Sequence, residues 1–146
     1  MATIAIGSDH AGPEAKSHIK DMLESIGETV IDCGTQGPQS VDYPDYAQKV
    51  GQLIQTGAAD WGVLICGTGI GISIAANKMK GIRAALCHNP MTAQMARAHN
   101  NANVLCLGAR VLEPATMLEL VRVFRETTFE GGRHQNRIDK IHQLEE

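Results

Sequence analysis

The stretch Trp61-Gly62-Val63-Leu64-Ile65-Cys66-Gly67-Thr68-Gly69-Ile70-Gly71 decides how this chain is read. It opens with a short apolar run of the length and character of a buried strand. Three glycines then separate that run from Ile72-Ser73-Ile74-Ala75-Ala76-Asn77-Lys78, which reads as a helix. A glycine-rich turn between strand and helix presents bare backbone N–H groups to an anion. Here the turn begins with a thiol. A cysteine beside a helix N-terminus is a candidate for a depressed pKa, and so for a base or a nucleophile.

The same alternation continues outward in both directions. Strands are expected at residues 2–7, 28–33, 61–66, 82–87 and 103–108. Between them, residues 13–26 carry Ala15, Ile19, Met22, Leu23 and Ile26 on one helical face. A polar loop with Gly37, Pro38 and Pro44 precedes a helix over 45–57, and the helix after the glycine turn runs to about Met79. Further helices are expected at 91–99 and at 114–126, where Pro114 suits a first turn. Gly131-Gly132 breaks the chain before a last helix from about His134, a candidate for contacts between copies. Apolar strands alternating with helices predict an α/β fold, a Rossmann-like three-layer sandwich around a five-stranded parallel sheet. No repeat or linker divides residues 1–146, so one domain is expected.

The bulk properties narrow the function classes. The chain has 146 residues, 43% hydrophobic and 20% charged, with a formal net charge of −3. This composition suits a globular core rather than disorder, and the charge argues against general nucleic-acid binding. No apolar run approaches the ~20 residues needed to cross a membrane, and Met1–Gly7 reads as a strand rather than a leader. The four cysteines, Cys33, Cys66, Cys87 and Cys106, lie in or beside apolar runs and form no CxxC pair. That pattern suits reduced thiols, and a cytoplasmic protein is expected.

In an open parallel sheet, ligands gather at the carboxyl ends of the strands. Those ends carry Asp9 and His10, Cys66 with Gly67 and Thr68, Cys87 and His88, and Arg110. Any one of these could simply begin a loop; their joint occurrence on one edge points to a site. Cys33, Cys87 and Cys106 read as small apolar fillers. Cys66 differs because the glycines after it let backbone donors approach a ligand closely. A thiolate there could abstract a proton beside a carbonyl while loop N–H groups hold the resulting oxyanion.

A nucleotide loop fits less well. The segment lacks the P-loop pattern, and its third glycine comes too early for the dinucleotide fingerprint. His99 could serve as an acid and base near neutral pH, or merely cap its helix. Arg133 and Arg137 share a face near a helix N-terminus, where an anion such as a phosphate would favour them. Their alternative is a solvated basic turn paired with Glu126, Glu130 or Asp139. No pair among Asp9, His10, Cys66, His88 and His99 has a recognised metal spacing, so no metal or other cofactor is expected.

Over essentially its whole length the chain resembles the type B ribose-5-phosphate isomerases, relatives of the galactose-6-phosphate isomerase subunits. The marks are Gly-Ser-Asp-His-Ala-Gly at 7–12, Asp42-Tyr43-Pro44 with Tyr46-Ala47, and Cys-Gly-Thr-Gly-Ile-Gly at 66–71 with Ala75-Ala76-Asn77-Lys78. His99-Asn100, Gly108-Ala109-Arg110, and Gly-Gly-Arg-His at 131–134 with Arg137 complete them. The resemblance implies an aldose–ketose isomerase acting on ribose 5-phosphate and ribulose 5-phosphate, in the pentose phosphate pathway. Six-carbon sugar phosphates such as allose 6-phosphate or galactose 6-phosphate are the alternative substrates, and a non-catalytic phosphate- or nucleotide-binding module the alternative class.

It further implies that Cys66 moves a proton between C1 and C2, while the N–H groups of Gly67, Thr68, Gly69, Ile70 and Gly71 stabilise the enediolate. His99 would assist ring opening, with Thr68 and Asp9 nearby, and Tyr43 and Asn100 would contact the sugar. His10, Arg133 and Arg137 would hold the phosphate, with Arg110 contributing. The family is metal-independent and forms dimers or tetramers whose active sites draw on two subunits. One branch lacks the cysteine and uses a glutamate after the loop; Cys66 followed by Ile72-Ser73-Ile74 resembles the cysteine branch.

Overall fold

The computed structural model describes residues 1–146. Five strands, β1 (Thr3–Ser8), β2 (Thr29–Asp32), β3 (Trp61–Cys66), β4 (Ala84–Leu86) and β5 (Val104–Gly108), form one sheet in the order β2-β1-β3-β5-β4. Every pairing is parallel. Six helices complete the chain: α1 (Pro13–Ser25), α2 (Tyr43–Gln55), α3 (Ile70–Asn77), α4 (Pro90–Ala98), α5 (Pro114–Glu126) and α6 (Arg133–Gln143). This is the expected three-layer α/β sandwich.

The central strands β1, β3 and β5 are buried along nearly their whole length, because helices cover both of their faces. On one face, Ile4, Ile6, Val63, Ile65, Leu105 and Leu107 pack with Ile19, Leu23, Leu120 and Phe124. On the other, Ala5, Leu64, Val104 and Cys106 pack with Val50, Ile72 and Ala76. The odd–even split along each strand follows from the two-residue period of a pleated sheet.

Several boundaries differ from the sequence expectation for local reasons. Helix α2 begins at Tyr43 rather than 45, since Pro44 occupies a first-turn position where its missing N–H costs nothing. β4 is only three residues long. Arg83 keeps only its carbonyl on the neighbouring strand: its amide donates to the Asn103 side chain, and its guanidinium donates to the Asn101 carbonyl. Ile26 lies beyond the end of α1 and is exposed rather than in the core. Helix α4 starts at Pro90 behind a capping box, in which the Thr92 amide donates to the Asn89 side chain at 2.8 Å.

The strand register sets out the carboxyl edge of the sheet. Ser8 stands beside Ile65 and Cys66 beside Gly108. The turns after β1, β3 and β5 therefore emerge next to one another. The helices between parallel strands run the opposite way, so their C-terminal ends return to the amino edge. The Asn103 carbonyl, just past α4, accepts from the Gly62 amide near the start of β3.

Candidate active site

Cys66 closes β3 and is 4% exposed. The Gly69 N–H donates to its Sγ at 3.2 Å, so the sulfur sits at the N-terminal mouth of α3. Gly69 itself has φ 80°, a left-handed conformation that a side chain would strain. A side chain there would also meet the Leu107 backbone at 2.9 Å. The Ile70 N–H donates to Thr68 Oγ1 at 3.2 Å, and the Thr68 side chain is exposed. At Gly71 a Cβ would stand 2.5 Å from the Tyr43 ring, so the absence of a side chain lets Tyr43 lie across the first turn of α3.

The neighbouring turns supply charge. Asp9 is buried beside the loop; its amide donates to the Ile65 carbonyl at 3.1 Å, and its Oδ1 accepts from the Ala11 amide at 2.9 Å. The Val41 amide donates to His10 Nδ1 at 3.2 Å. An accepting Nδ1 leaves the His10 hydrogen on Nε2, free to meet an anion. The Arg110 amide donates to the Gly67 carbonyl at 2.9 Å, and its guanidinium lies against Gly67, where a Cβ would come within 2.9 Å of it. Asp9, His10, Tyr43, Cys66, Gly67, Thr68, Gly69, Ile70, Gly71 and Arg110 thus all lie at the carboxyl edge, in the turns after β1, β3 and β5 and at the starts of α2 and α3.

The remaining expected residues lie elsewhere. His99 caps the C-terminus of α4, and Asn100 follows it, both at the amino edge. The strands between that edge and Cys66 span about 15 Å, too far for side chains to bridge. Arg133 and Arg137 begin α6, which starts beside His99 and ends where His142 meets Arg83 at 2.9 Å. Both arginines are exposed, and neither makes an ion pair with Glu126, Glu130 or Asp139. The pairing with acids is therefore absent, while the turn itself is solvated. Within one chain the expected site is divided between opposite edges of the sheet. The topology carries the signal for this division: a helix that follows a parallel strand must end at the amino edge.

The amino edge also contains two residues that received no role from the sequence. His134 stacks on His99 with ring centres 4.2 Å apart and planes inclined by 12°. Glu130 Oε1 lies 3.6 Å from His99 Nε2 and 3.4 Å from His134 Nε2. His134 was visible only as part of the motif around Arg133, and Glu130 only as a partner for an arginine. A groove of about 710 Å³ is also at this edge, bordered by Arg83, Ala84, Asn100, Ile141 and Leu144.

Burial pushes the Cys87 thiol up to about 11, and it pushes that of Cys106 further. Cys33 is raised by burial and by the charge of Asp32. These thiols fit the role of fillers, and all four cysteines are free. No helix is long and apolar enough to cross a membrane.

The chain matches the family described as Ribose/Galactose Isomerase over residues 4–141. It is 45% identical to ribose-5-phosphate isomerase B of Escherichia coli, covering 100% of this chain and 98% of that protein. The ribose-5-phosphate isomerase B structure from Clostridium thermocellum superposes with a TM-score of 0.97 at 50% identity, covering 98% of this chain and 97% of the other. The Mycoplasma genitalium enzyme, solved with bound ribulose-5-phosphate, superposes with a TM-score of 0.95 at 44% identity, covering 98% and 95%. Matched by the family over residues 4–141 and similar in sequence and in structure along its whole length to these enzymes, this chain belongs to the ribose/galactose isomerase family.

Proposed function

We propose that this protein interconverts ribose 5-phosphate and ribulose 5-phosphate, with Cys66 as the base. The observation that carries the proposal is the buried Cys66 sulfur at the mouth of α3, in a glycine-rich loop whose Gly69 N–H donates to it. Proton removal beside a carbonyl needs a base and an oxyanion site acting together.

In the forward direction the furanose opens first. The C1 hydroxyl loses its proton, the ring oxygen gains one, and an aldehyde forms at C1. His99 assists this exchange. The Cys66 thiolate then takes the C2 proton, and the electron pair moves through the new C1–C2 double bond onto O1. The N–H groups of residues 67–71 hold that oxygen, with Thr68 and Asp9 alongside. Cys66 returns the proton to C1, the C2 hydroxyl proton passes to O1, and the ketone stands at C2. Tyr43 and Asn100 contact the sugar; His10, Arg133 and Arg137 hold the phosphate, with Arg110 contributing.

Since His99, Asn100, Arg133 and Arg137 stand at the far edge from Cys66, they reach it only from a second copy. Exposed apolar residues around the loop, Tyr43, Ile70, Ile74 and Val111, support a surface that another copy covers. A symmetric dimer, alone or within a tetramer, then holds two sites, each built from both chains. The last helix, α6, contributes to that contact.

Ketose formation from ribose 5-phosphate by the purified protein tests the reading, with allose 6-phosphate and galactose 6-phosphate in parallel. The largest kcat/KM is expected on ribose 5-phosphate, and C66A is expected to remove nearly all turnover with the fold intact. A larger kcat/KM on a six-carbon substrate would reassign the substrate. Near-normal turnover in C66A would overturn the mechanism.

A further inference from the structure

The proposed mechanism leaves part of the amino-edge cluster unused. His134 is 6% exposed, and its Nε2 is buried without a hydrogen-bond partner. Its ring lies nearly parallel to that of His99, and both Nε2 atoms face one oxygen of Glu130. The Glu130 amide donates to the Ala98 carbonyl at 2.9 Å, which ties this carboxylate to the end of α4 that bears His99.

Three potential metal ligands lie within 4.8 Å of one another here. The lone pair of each Nε2, however, lies in its own ring plane. Two planes inclined by 12° with centres 4.2 Å apart do not converge on one ion. The same in-plane geometry keeps either Nε2 from a hydrogen bond to Glu130, so the carboxylate acts here as a nearby charge. Two stacked imidazoles resist a second positive charge. Burial first, then the charges of His99, Arg133 and Arg137, hold His134 below the usual histidine range, against the opposing pull of Glu130. His99, with 37% of its side chain exposed, is the member open to proton exchange.

From this geometry we infer that His134 and Glu130 are positioning residues for His99. The buried ring fixes the plane of His99 by stacking, and the Glu130 carboxylate sets a negative charge beside its Nε2. The inference rests on the proposed ring-opening role of His99, so one arm of its test is independent of activity.

That arm is an NMR titration of the His99 imidazole in the full-length protein. E130Q removes the counter-charge and is expected to lower the titration midpoint. An unchanged midpoint overturns the part given to Glu130. The second arm compares net conversion of ribose 5-phosphate with exchange of the C1 hydrogens of ribulose 5-phosphate in heavy water. Ribulose 5-phosphate stays open-chain, because its C5 hydroxyl is esterified, so its exchange needs proton transfer without ring chemistry. H134A is expected to raise the ratio of exchange to conversion about tenfold, and H134F, which keeps a flat stacking ring, to bring it most of the way back. An unchanged ratio in H134A overturns the part given to His134. A wild-type protein that converts no ribose 5-phosphate would instead defeat the functional reading, while the titration would still decide the coupling within the cluster.

Discussion

A single methyl group at Gly108 is expected to disable the loop without unfolding the protein. Gly108 ends β5 directly beside Cys66. An alanine Cβ there would stand 2.5 Å from the Thr68 carbonyl oxygen, 2.6 Å from its carbonyl carbon and 2.9 Å from its Cα. Ordinary contact needs about 3.5 Å, so backbone must give way by about 1 Å. The loop cannot slide freely. Ala109 donates to the Cys66 carbonyl and Arg110 to the Gly67 carbonyl, each at 2.9 Å. The displacement therefore reaches Cys66 or the N–H groups of the loop after it. A misplacement of about 1 Å costs roughly 100-fold in rate. Overpacking of this size costs about 1–3 kcal/mol of stability, or about 2–12 °C in Tm for a domain of this length. Initial rates of ketose formation and a thermal melt on the same G108A sample separate the two effects. A folded variant with kcat within about threefold of wild type would refute the claim that loop position controls the chemistry.

Further outcomes follow from the same geometry. R137A is expected to raise KM for ribose 5-phosphate more than it lowers kcat, and an unchanged KM would remove Arg137 from the phosphate site. Lys16 is 1% exposed and donates to both Asp32 oxygens at 2.7 Å. Burial alone would raise the Asp32 carboxyl, but the Lys16 ammonium, the Gly34 amide and Gln36 outweigh it and hold it below the usual range. The pair's contribution is thus complete above about pH 4 and is lost as the pH falls through the lowered native value. K16M should cost about 3 kcal/mol at pH 7, with a penalty that shrinks below pH 4 in urea melts; a pH-independent penalty would contradict the assignment. Iodoacetamide at pH 8 should leave Cys87 and Cys106 unmodified in the native protein, and their labelling without denaturant, seen by peptide mass mapping, would contradict the raised pKa values.

The fold was legible because its signals are local and repeated. Apolar runs such as Trp61–Ile65 read as buried strands when turns bound them closely, and Pro114 marks a helix start, whereas Pro44 and Pro90 were read as lying before their helices. What escaped depended on partners distant in sequence. β4 is short because Arg83 turns to Asn101 and Asn103, a preference that nothing around residue 83 reveals. Most of the carboxyl-edge half of the candidate site was legible for the same reason as the fold, since Asp9, His10, the loop from Cys66 and Arg110 follow strands, whereas Tyr43 starts α2 and came only from the resemblance. His99 has a local signal for its chemistry and none for its edge, which comes from the direction of α4. The stack of His134 on His99 joins residues 35 positions apart in the chain, and no local spacing announces it.

The division of the site between two copies is tested most directly by mixing two inactive chains. C66A destroys the carboxyl-edge half and leaves His99 intact; H99N does the reverse. Unfolding and refolding an equal mixture allows mixed dimers to form. In each mixed dimer one site carries both lesions and the other carries neither. Random pairing then predicts recovery of about a quarter of the wild-type ribose 5-phosphate isomerase rate. A mixture that stays as inactive as its two components, with mixed dimers demonstrated by mass, would show that Cys66 and His99 do not meet across two chains.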